Sequence, residues 1–139
     1  MDAAVHISLK VSELERSVGF YRKLLGEPSK LHLDYAKFVS RDPEIHLALS
    51  PGLGHARGRG PLSHLGIRVG STAEVLRRRA ELTERGLRTE MEMGTDCCYA
   101  RQDKFWVTDP DGNRWEVYTV LRDLQDESAA PAARRAACC

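Results

Sequence analysis

The feature that most constrains the fold of this chain is an internal duplication. HISLKV at residues 6–11 matches HLGIRV at residues 64–69 in type at every position: His, aliphatic, small, aliphatic, basic, Val. Both segments alternate apolar and polar side chains, which is typical of a strand with one face buried. The repeat predicts two copies of one structural module.

Each copy of the repeated strand is followed by a helix signal. Ser12 with Glu15, and Ser71 with Glu74, have the spacing of a capping box, and Gly86 ends the second helical pattern. Short alternating runs then predict three further strands per module. The sequence therefore predicts an α+β fold built from two βαβββ modules.

The length of 139 residues suits one compact domain. We expect modules at 1–50 and 62–122, which together form a single domain at 1–122. The linker 51–61 is rich in Gly and Pro, and the segment 123–139 has almost no large apolar side chain. That composition predicts a disordered tail.

Charge and the first residues of the chain exclude several partners. Lys and Arg number 21 against 20 Asp and Glu, so the net charge of +1 provides no basic surplus for nucleic acid. The first 18 residues carry no apolar run typical of a signal peptide or a membrane span. We expect a cytosolic protein without a membrane partner, in a compartment where thiols stay reduced.

Two histidines and one carboxylate are candidate metal ligands. Strand side chains alternate in direction, so His6 and His64 occupy matching positions on the polar faces of the two repeated strands. Glu116 is predicted to reach the same polar face. Two His and one carboxylate leave open positions on an octahedral ion, as in non-haem Fe(II) oxygenases. From the residues alone, Zn(II), Mn(II) and Ni(II) remain alternatives.

The sequence contains three further histidines, His32, His46 and His55. His46 is predicted to fall roughly where Glu116 falls in its own module, which makes it a candidate fourth ligand. His32 lies in an alternating run and His55 in the Gly-rich linker. We interpret both as solvated side chains.

The adjacent pair Cys97 and Cys98 is the second candidate site. In a regular strand the two sulfurs would point to opposite faces, so joint action requires a turn or loop, which Gly94, Thr95 and Asp96 can supply. Soft thiolates select soft ions such as Cu(I), Zn(II), Cd(II) and trivalent arsenic. A mono-organyl arsenic has two exchangeable positions and fits two thiols. The alternative is one buried thiol acting as an apolar filler and one inert exposed thiol.

These residues carry a family resemblance that covers Ala4 to Val120. The paired modules, the three candidate metal ligands and the run TDCCYARQDKFWVTDPDGNRWEVY resemble the vicinal oxygen chelate superfamily of glyoxalases and extradiol dioxygenases. Within it, the chain resembles the organoarsenical carbon-arsenic lyases, which are related to the cadmium-induced proteins. The resemblance implies that the two modules form a paired, cup-shaped mixed sheet.

The resemblance also implies an activity. His6, His64 and Glu116 would hold Fe(II) as the catalytic centre, and Cys97 with Cys98 would bind the substrate. The family uses dioxygen to cleave the carbon-arsenic bond of trivalent methyl or aromatic arsenicals, and the released arsenite marks a detoxification reaction. The alternatives are a thiol-based cadmium- or arsenic-binding protein without catalysis, and another glyoxalase- or dioxygenase-type enzyme of this fold.

Several assignments stay open at the level of sequence. Tyr99 and Lys104 flank the cysteines and are candidates for closing the loop over substrate. Cys138 and Cys139 lie outside the resemblance and are interpreted as spare thiols of the tail. The sequence does not separate methyl from aromatic substrates, nor a monomer from a homodimer that exchanges modules.

Overall fold

The structure, a computed structural model, describes residues 3–52 and 60–124. His55, most of the predicted linker, the tail beyond 124 and therefore Cys138 and Cys139 lie outside the described residues. Two helices and eight strands occupy the described part, in the order β1 Val5–Val11, α1 Leu14–Leu25, β2 Lys30–His32, β3 Tyr35–Arg41, β4 Glu44–Pro51, β5 Leu65–Arg68, α2 Thr72–Glu84, β6 Glu90–Cys97, β7 Ala100–Thr108 and β8 Arg114–Asp123. The order repeats βαβββ, as the duplication predicts.

The first copy forms a four-stranded mixed sheet in the order β1-β4-β3-β2. β1 runs parallel to β4, because α1 carries the chain back between them, and β3 is antiparallel to both neighbours. Helix α1 packs on β3 and β4. Its inner face buries Tyr21, whose ring lies 6.2 Å from that of Phe38. This apolar layer is the core of the first copy.

The second copy repeats this layout with the strand order β5-β8-β7-β6. β5 is parallel to β8, and α2 contacts β8. Val75, Phe105 and Val117 are at most 1% exposed and belong to its core. The α+β prediction of two βαβββ modules is thereby confirmed.

The two predicted capping boxes behave differently. Ser71 is the N-cap of α2, and its hydroxyl accepts a hydrogen bond from the Glu74 backbone N–H. Helix α1 instead begins after Glu13, which makes no side-chain cap. Ser12 lies one residue too early, and its hydroxyl donates to Asp111 Oδ1 at 2.5 Å. The prediction of a capping box at Ser12 is wrong because a long-range carboxylate takes that hydroxyl.

The described residues divide into two compact units. The first unit combines the first module with the turn Thr108–Asn113, and the second holds 63–107 with 114–124. In the first unit, Asp109 on that turn accepts a hydrogen bond of 2.6 Å from the Tyr21 hydroxyl. The single-domain boundary at residue 122 stays a prediction. No helix within 3–52 or 60–124 is long and apolar enough to cross a membrane.

Candidate functional site

The strand registers show which positions of the two modules are equivalent. In the first unit Ser8 lies opposite Ala48, and in the second unit Gly66 lies opposite Glu116. Since Ser8 and Gly66 match in the repeat, Ala48 holds the place that Glu116 holds in the second unit. His46 lies opposite His6 instead, two residues earlier on its strand. The predicted equivalence of His46 and Glu116 is therefore wrong by two residues.

A buried carboxylate on β8 lies between two basic side chains. Glu116 Oε1 is 3.5 Å from His64 Nε2, and Glu116 Oε2 accepts a hydrogen bond of 2.7 Å from Lys104 Nζ. Lys104 is 1% exposed and Glu116 7% exposed. Buried charges are retained in proteins when they are paired and hydrogen-bonded, which Lys104 and Glu116 achieve with each other. The ammonium thus fixes one carboxylate oxygen and leaves the other facing the imidazole.

Aromatic rings surround this pair. The indole of Trp106 meets His64 edge to face at 5.2 Å, and Lys104 Nζ lies 5.3 Å from the same indole. Trp106 Nε1 donates to Glu92 Oε1 at 3.2 Å, and the Arg114 guanidinium stacks 4.1 Å from the ring. The ring is therefore held on several sides, and it in turn limits the orientation of His64.

A glycine makes room for the carboxylate. A Cβ atom at Gly66 would lie 3.1 Å from Glu116 Cγ and Oε1, and 3.2 Å from Tyr118 Cε1. Both side chains therefore cross directly over the backbone of β5. Gly66 takes part in shaping the site although it has no side chain of its own.

Two of the three predicted metal ligands come together within one unit. Donor atoms that each lie about 2.0–2.2 Å from one ion are at most about 4.4 Å apart, and the His64–Glu116 separation satisfies that limit. An imidazole with a carboxylate suits Fe(II), Mn(II), Zn(II) or Ni(II). His6 lies on β1 in the first unit and is exposed. Among residues 3–52 and 60–124, no group of three His, Cys, Asp or Glu has the arrangement of a metal centre.

The cysteine pair lies at the end of the β6–β7 hairpin. Cys97 is the last residue of β6 and pairs with Ala100, so Cys98 and Tyr99 form a two-residue turn. Both turn residues have positive φ, 50° and 62°, as a type I′ turn requires. The prediction of a turn is confirmed for Cys98, whereas Cys97 remains in the strand.

The turn brings the two sulfurs together. Their Sγ atoms are 3.5 Å apart, with Cys97 3% exposed and Cys98 exposed. Both are disulfide-bonded in this structure. Their separation exceeds the S–S bond length of about 2.05 Å, so the two sulfurs are not bonded to each other. Cys97 and Cys98 can therefore approach one ligand atom when both are reduced.

A β-bulge decides which face of the sheet Cys97 occupies. Glu92 pairs with Lys104 and Thr95 with Gln102, so β6 contains one residue more than β7 between these pairs. Gly94, with φ 57°, provides the left-handed conformation for this extra residue. The bulge shifts the alternation of β6, and Cys97 therefore lies on the same face as Gln102 and Lys104.

Two residues of β7, Asp103 and Arg101, stabilise the hairpin through hydrogen bonds. On the opposite face, Asp103 accepts hydrogen bonds of 2.6 Å from the Gly94 N–H and from the Thr72 hydroxyl. Arg101 donates two hydrogen bonds to Asp96, and this pairing raises the pKa of Arg101 above its ordinary value. The bulge and the tip are thus fixed by neighbouring side chains.

Several site residues escaped the sequence interpretation. Lys104 is a loop-closing candidate from the sequence, but the structure places it inside β7, buried against Glu116. Tyr99 does flank the cysteines, in the turn, and is 62% exposed. No sequence prediction covers Gly66 or Gln102. A glycine within an alternating strand is the signal that would have indicated both the Gly94 bulge and the close approach at Gly66.

Comparisons with known proteins place this geometry in a family. A protein named "Cadmium-induced protein CadI" from Mycobacterium tuberculosis is 48% identical over 130 residues, which cover 91% of this chain and 82% of the relative. A "Trivalent organoarsenical cleaving enzyme" from Thermomonospora curvata is 43% identical over 136 residues, 97% of this chain and 87% of the relative. A glyoxalase/bleomycin resistance protein/dioxygenase from Alicyclobacillus acidocaldarius has the same fold, with a TM-score of 0.71 at 15% identity over 87% of this chain and 93% of that one. The model of the Glyoxalase/Bleomycin resistance protein/Dioxygenase superfamily matches residues 3–117, and the resemblance deduced from the sequence is confirmed: the chain belongs to that superfamily.

Proposed function

We propose that this chain is an Fe(II)- and dioxygen-dependent lyase that cleaves the carbon-arsenic bond of trivalent organoarsenicals and releases arsenite. The observation that carries the proposal is the bulge at Gly94, which brings Cys97 to the face of the second sheet that also carries Lys104 and Glu116. A relative 43% identical over nearly the whole chain is named an organoarsenical cleaving enzyme, which supports the same chemistry. The proposed reaction detoxifies a small molecule in the cytosol.

The cysteines are the proposed substrate clasp. A trivalent arsenic with one carbon substituent has two exchangeable positions, and two sulfurs 3.5 Å apart at a hairpin tip match that number. Thiolates favour soft atoms such as arsenic over hard cations. Holding the arsenic in one place reduces the entropic part of the barrier, an effect that reaches roughly 7–11 kcal/mol in favourable cases.

The proposed metal ligands are His6, His64 and Glu116. Fe(II), when bound, supplies the redox chemistry that lets dioxygen attack a bond held beside it. Lys104 occupies Oε2 of Glu116, so Oε1 is the oxygen available to a metal. Trp106 limits the orientation of His64, which keeps Nε2 directed at that oxygen.

The proposal is tested with reduced protein loaded with Fe(II) in the absence of air. Methylarsenite and then air are added, and arsenic species are separated over time. We expect arsenite from the wild type and none from the Cys97→Ser/Cys98→Ser variant. Cys138→Ser/Cys139→Ser is the matched control and retains turnover, because it removes the same number of thiols outside the proposed clasp. Arsenical binding without any arsenite from the wild type contradicts the lyase.

A second candidate is sequestration of cadmium or arsenic without a reaction. The 48% identity to a protein named for its induction by cadmium favours it, as do paired sulfurs that suit Cd(II). Glu116→Gln discriminates the two functions. A lyase loses arsenite release in this variant and keeps thiol-dependent binding, whereas a sequestering protein binds equally well and releases no arsenite in either form.

A further inference from the structure

The side-chain oxygen of Gln102 is a buried hydrogen-bond acceptor that has no role in the proposed function so far. The residue is 5% exposed, and its Oε1 has no hydrogen-bond partner. Only one other buried side-chain N or O atom in the described part of the chain shares this state, the hydroxyl oxygen of Ser17 in the first unit. A buried acceptor without a partner is costly, so its retention calls for an explanation.

The orientation of the Gln102 amide is fixed by its other end. Nε2 donates to the backbone carbonyl of Cys97 at 3.2 Å. A carbonyl oxygen only accepts hydrogen bonds, so the amide nitrogen must face it and Oε1 must be the atom left over. The unpartnered acceptor is thus part of a side chain that holds Cys97 in place.

Gln102 and Cys97 share one face of the sheet. Gln102 lies directly across from Thr95, and Cys97 lies two residues further along the same strand. Cross-strand partners project to the same side, and diagonal neighbours in an antiparallel pair are within reach of a long side chain. The Gln102 amide therefore lies on the face of the sheet that carries the Cys97 side chain.

We propose that Gln102 is a substrate-positioning residue whose Oε1 accepts a hydrogen bond from a hydroxyl group on the arsenic of the incoming substrate. This inference rests on the proposed function, since it assumes that Cys97 and Cys98 take up a mono-organyl arsenic. In water such a species carries two hydroxyl groups on arsenic, and each is a donor. The Gln102 oxygen aligns the arsenic with the Cys97 sulfur before the first exchange and holds the second hydroxyl during it.

The exchange step balances without any oxidant. Each Cys97 or Cys98 thiol forms one arsenic-sulfur bond as one arsenic-oxygen bond breaks, and the thiol proton leaves with the hydroxyl group as water. Two exchanges release two water molecules, and arsenic stays trivalent. Gln102 neither gains nor loses a proton. Its effect is therefore confined to capture of the substrate, ahead of cleavage.

The test compares two forms of one arsenical on reduced protein without metal. The first is phenylarsonous acid, which has two hydroxyl groups on arsenic, and the second is the same compound masked with two ethanethiolate groups, which has none. Capture is followed by arsenic-thiolate absorbance. Gln102→Met, similar in size but without the amide, is expected to capture the hydroxylated form about tenfold more slowly than wild type. It captures the masked form at the wild-type rate.

The masked arsenical and two further variants separate positioning from structure. If Gln102→Met slows both forms equally, Gln102 only supports the hairpin and the proposal is overturned; unchanged rates for both forms overturn it too. Gln102→Asn, which keeps the amide on a shorter stem, is expected to show the same selective loss and serves if the Met variant does not fold. Ser17→Ala removes the other unpartnered oxygen and is expected to change neither rate. If wild-type protein captures neither form, the thiol clasp itself fails along with this inference.

Discussion

The two units of this molecule share a fold and differ in what their equivalent positions carry. Where the first unit has Ser8 opposite a buried Ala48, the second has Gly66 opposite Glu116. Compared with the first unit, the second unit lacks a side chain at this position of β5 and carries a charged side chain on the neighbouring strand β8. The duplication thus maintains the architecture in both halves, while the ion pair of Lys104 with Glu116 occurs in the second.

The largest expected effect tests the proposed role of His64 as a metal ligand in the second unit. His64→Ala removes the imidazole beside Glu116, and arsenite release is expected to fall by more than about a hundredfold, beyond what loss of an outer-shell group causes. His46→Ala is the control, because it makes the same substitution at a histidine of the first unit that the register places away from the position of Glu116. It should lower turnover less than about tenfold. Equal losses in both variants would contradict the asymmetry between the units.

The next effect concerns stability. Lys104→Met leaves Glu116 buried without its partner, and we expect the free energy of unfolding of the metal-free protein to fall by about 3–5 kcal/mol. Denaturant titration measures the change. Arg77→Met, which breaks exposed ion pairs with Glu74 and Glu81, is the control and should leave the unfolding midpoint unchanged. A Lys104 variant as stable as wild type would show that the buried pair is not held together as described.

A smaller effect separates two glycines. Gly66→Ala brings a Cβ atom within 3.1 Å of Glu116, and such overpacking costs about 1–3 kcal/mol. Gly19 lies within α1 and has nothing within 4 Å of its virtual Cβ. Gly19→Ala should therefore stabilise the protein by about 0.5–1 kcal/mol. Thermal unfolding of the two variants is expected to shift in opposite directions, and a shift in the same direction would refute the proposed crowding at Gly66.

The smallest effect lies in the hairpin turn. Tyr99 has φ 62°, a conformation that a bulky residue adopts only under strain, and its ring is 62% exposed. Tyr99→Gly is expected to raise the free energy of unfolding by a few tenths to about 1 kcal/mol. Leu121→Gly, at an exposed residue of β8 without positive φ, should destabilise instead. A destabilised Tyr99 variant would show that the ring makes contacts that outweigh the strain.

The sequence predicted the parts of the fold that depend on local pattern. Strand alternation, the Ser71 cap and the repeat were sufficient for two βαβββ modules, since each is a property of neighbouring residues. Ser12 shows the limit of that reasoning. Its hydroxyl has the same local context as that of Ser71, but Asp111 reaches it from almost a hundred residues away. Such a competitor leaves no trace in the local pattern.

The sequence predicted that His64 and Glu116 lie close together, but it did not predict the side chains that support them. His64 and Glu116 could be paired because strand alternation assigns each residue to a face. Lys104 could not be placed, since its burial depends on the register between β7 and β8 and on a carboxylate that compensates its charge. The assignment of His46 was wrong for a related reason. Alternation predicts the face of the sheet on which a residue lies, whereas the residue it lies opposite depends on the register with the neighbouring strand.

Because of the bulge at Gly94, the face of the sheet on which the Cys97 sulfur lies depends on the number of residues between Glu92 and Cys97. Because neighbouring strand residues point to opposite sides, the loss of one codon in the short stretch before the turn would transfer that sulfur to the helix-covered side of the sheet. Related hairpins with the same amino acids therefore gain or lose the proposed arsenic-binding arrangement through a single insertion or deletion. A relative in which both cysteines are present but the spacing from Glu92 to Cys97 differs by one residue would retain the fold and lack the proposed substrate clasp.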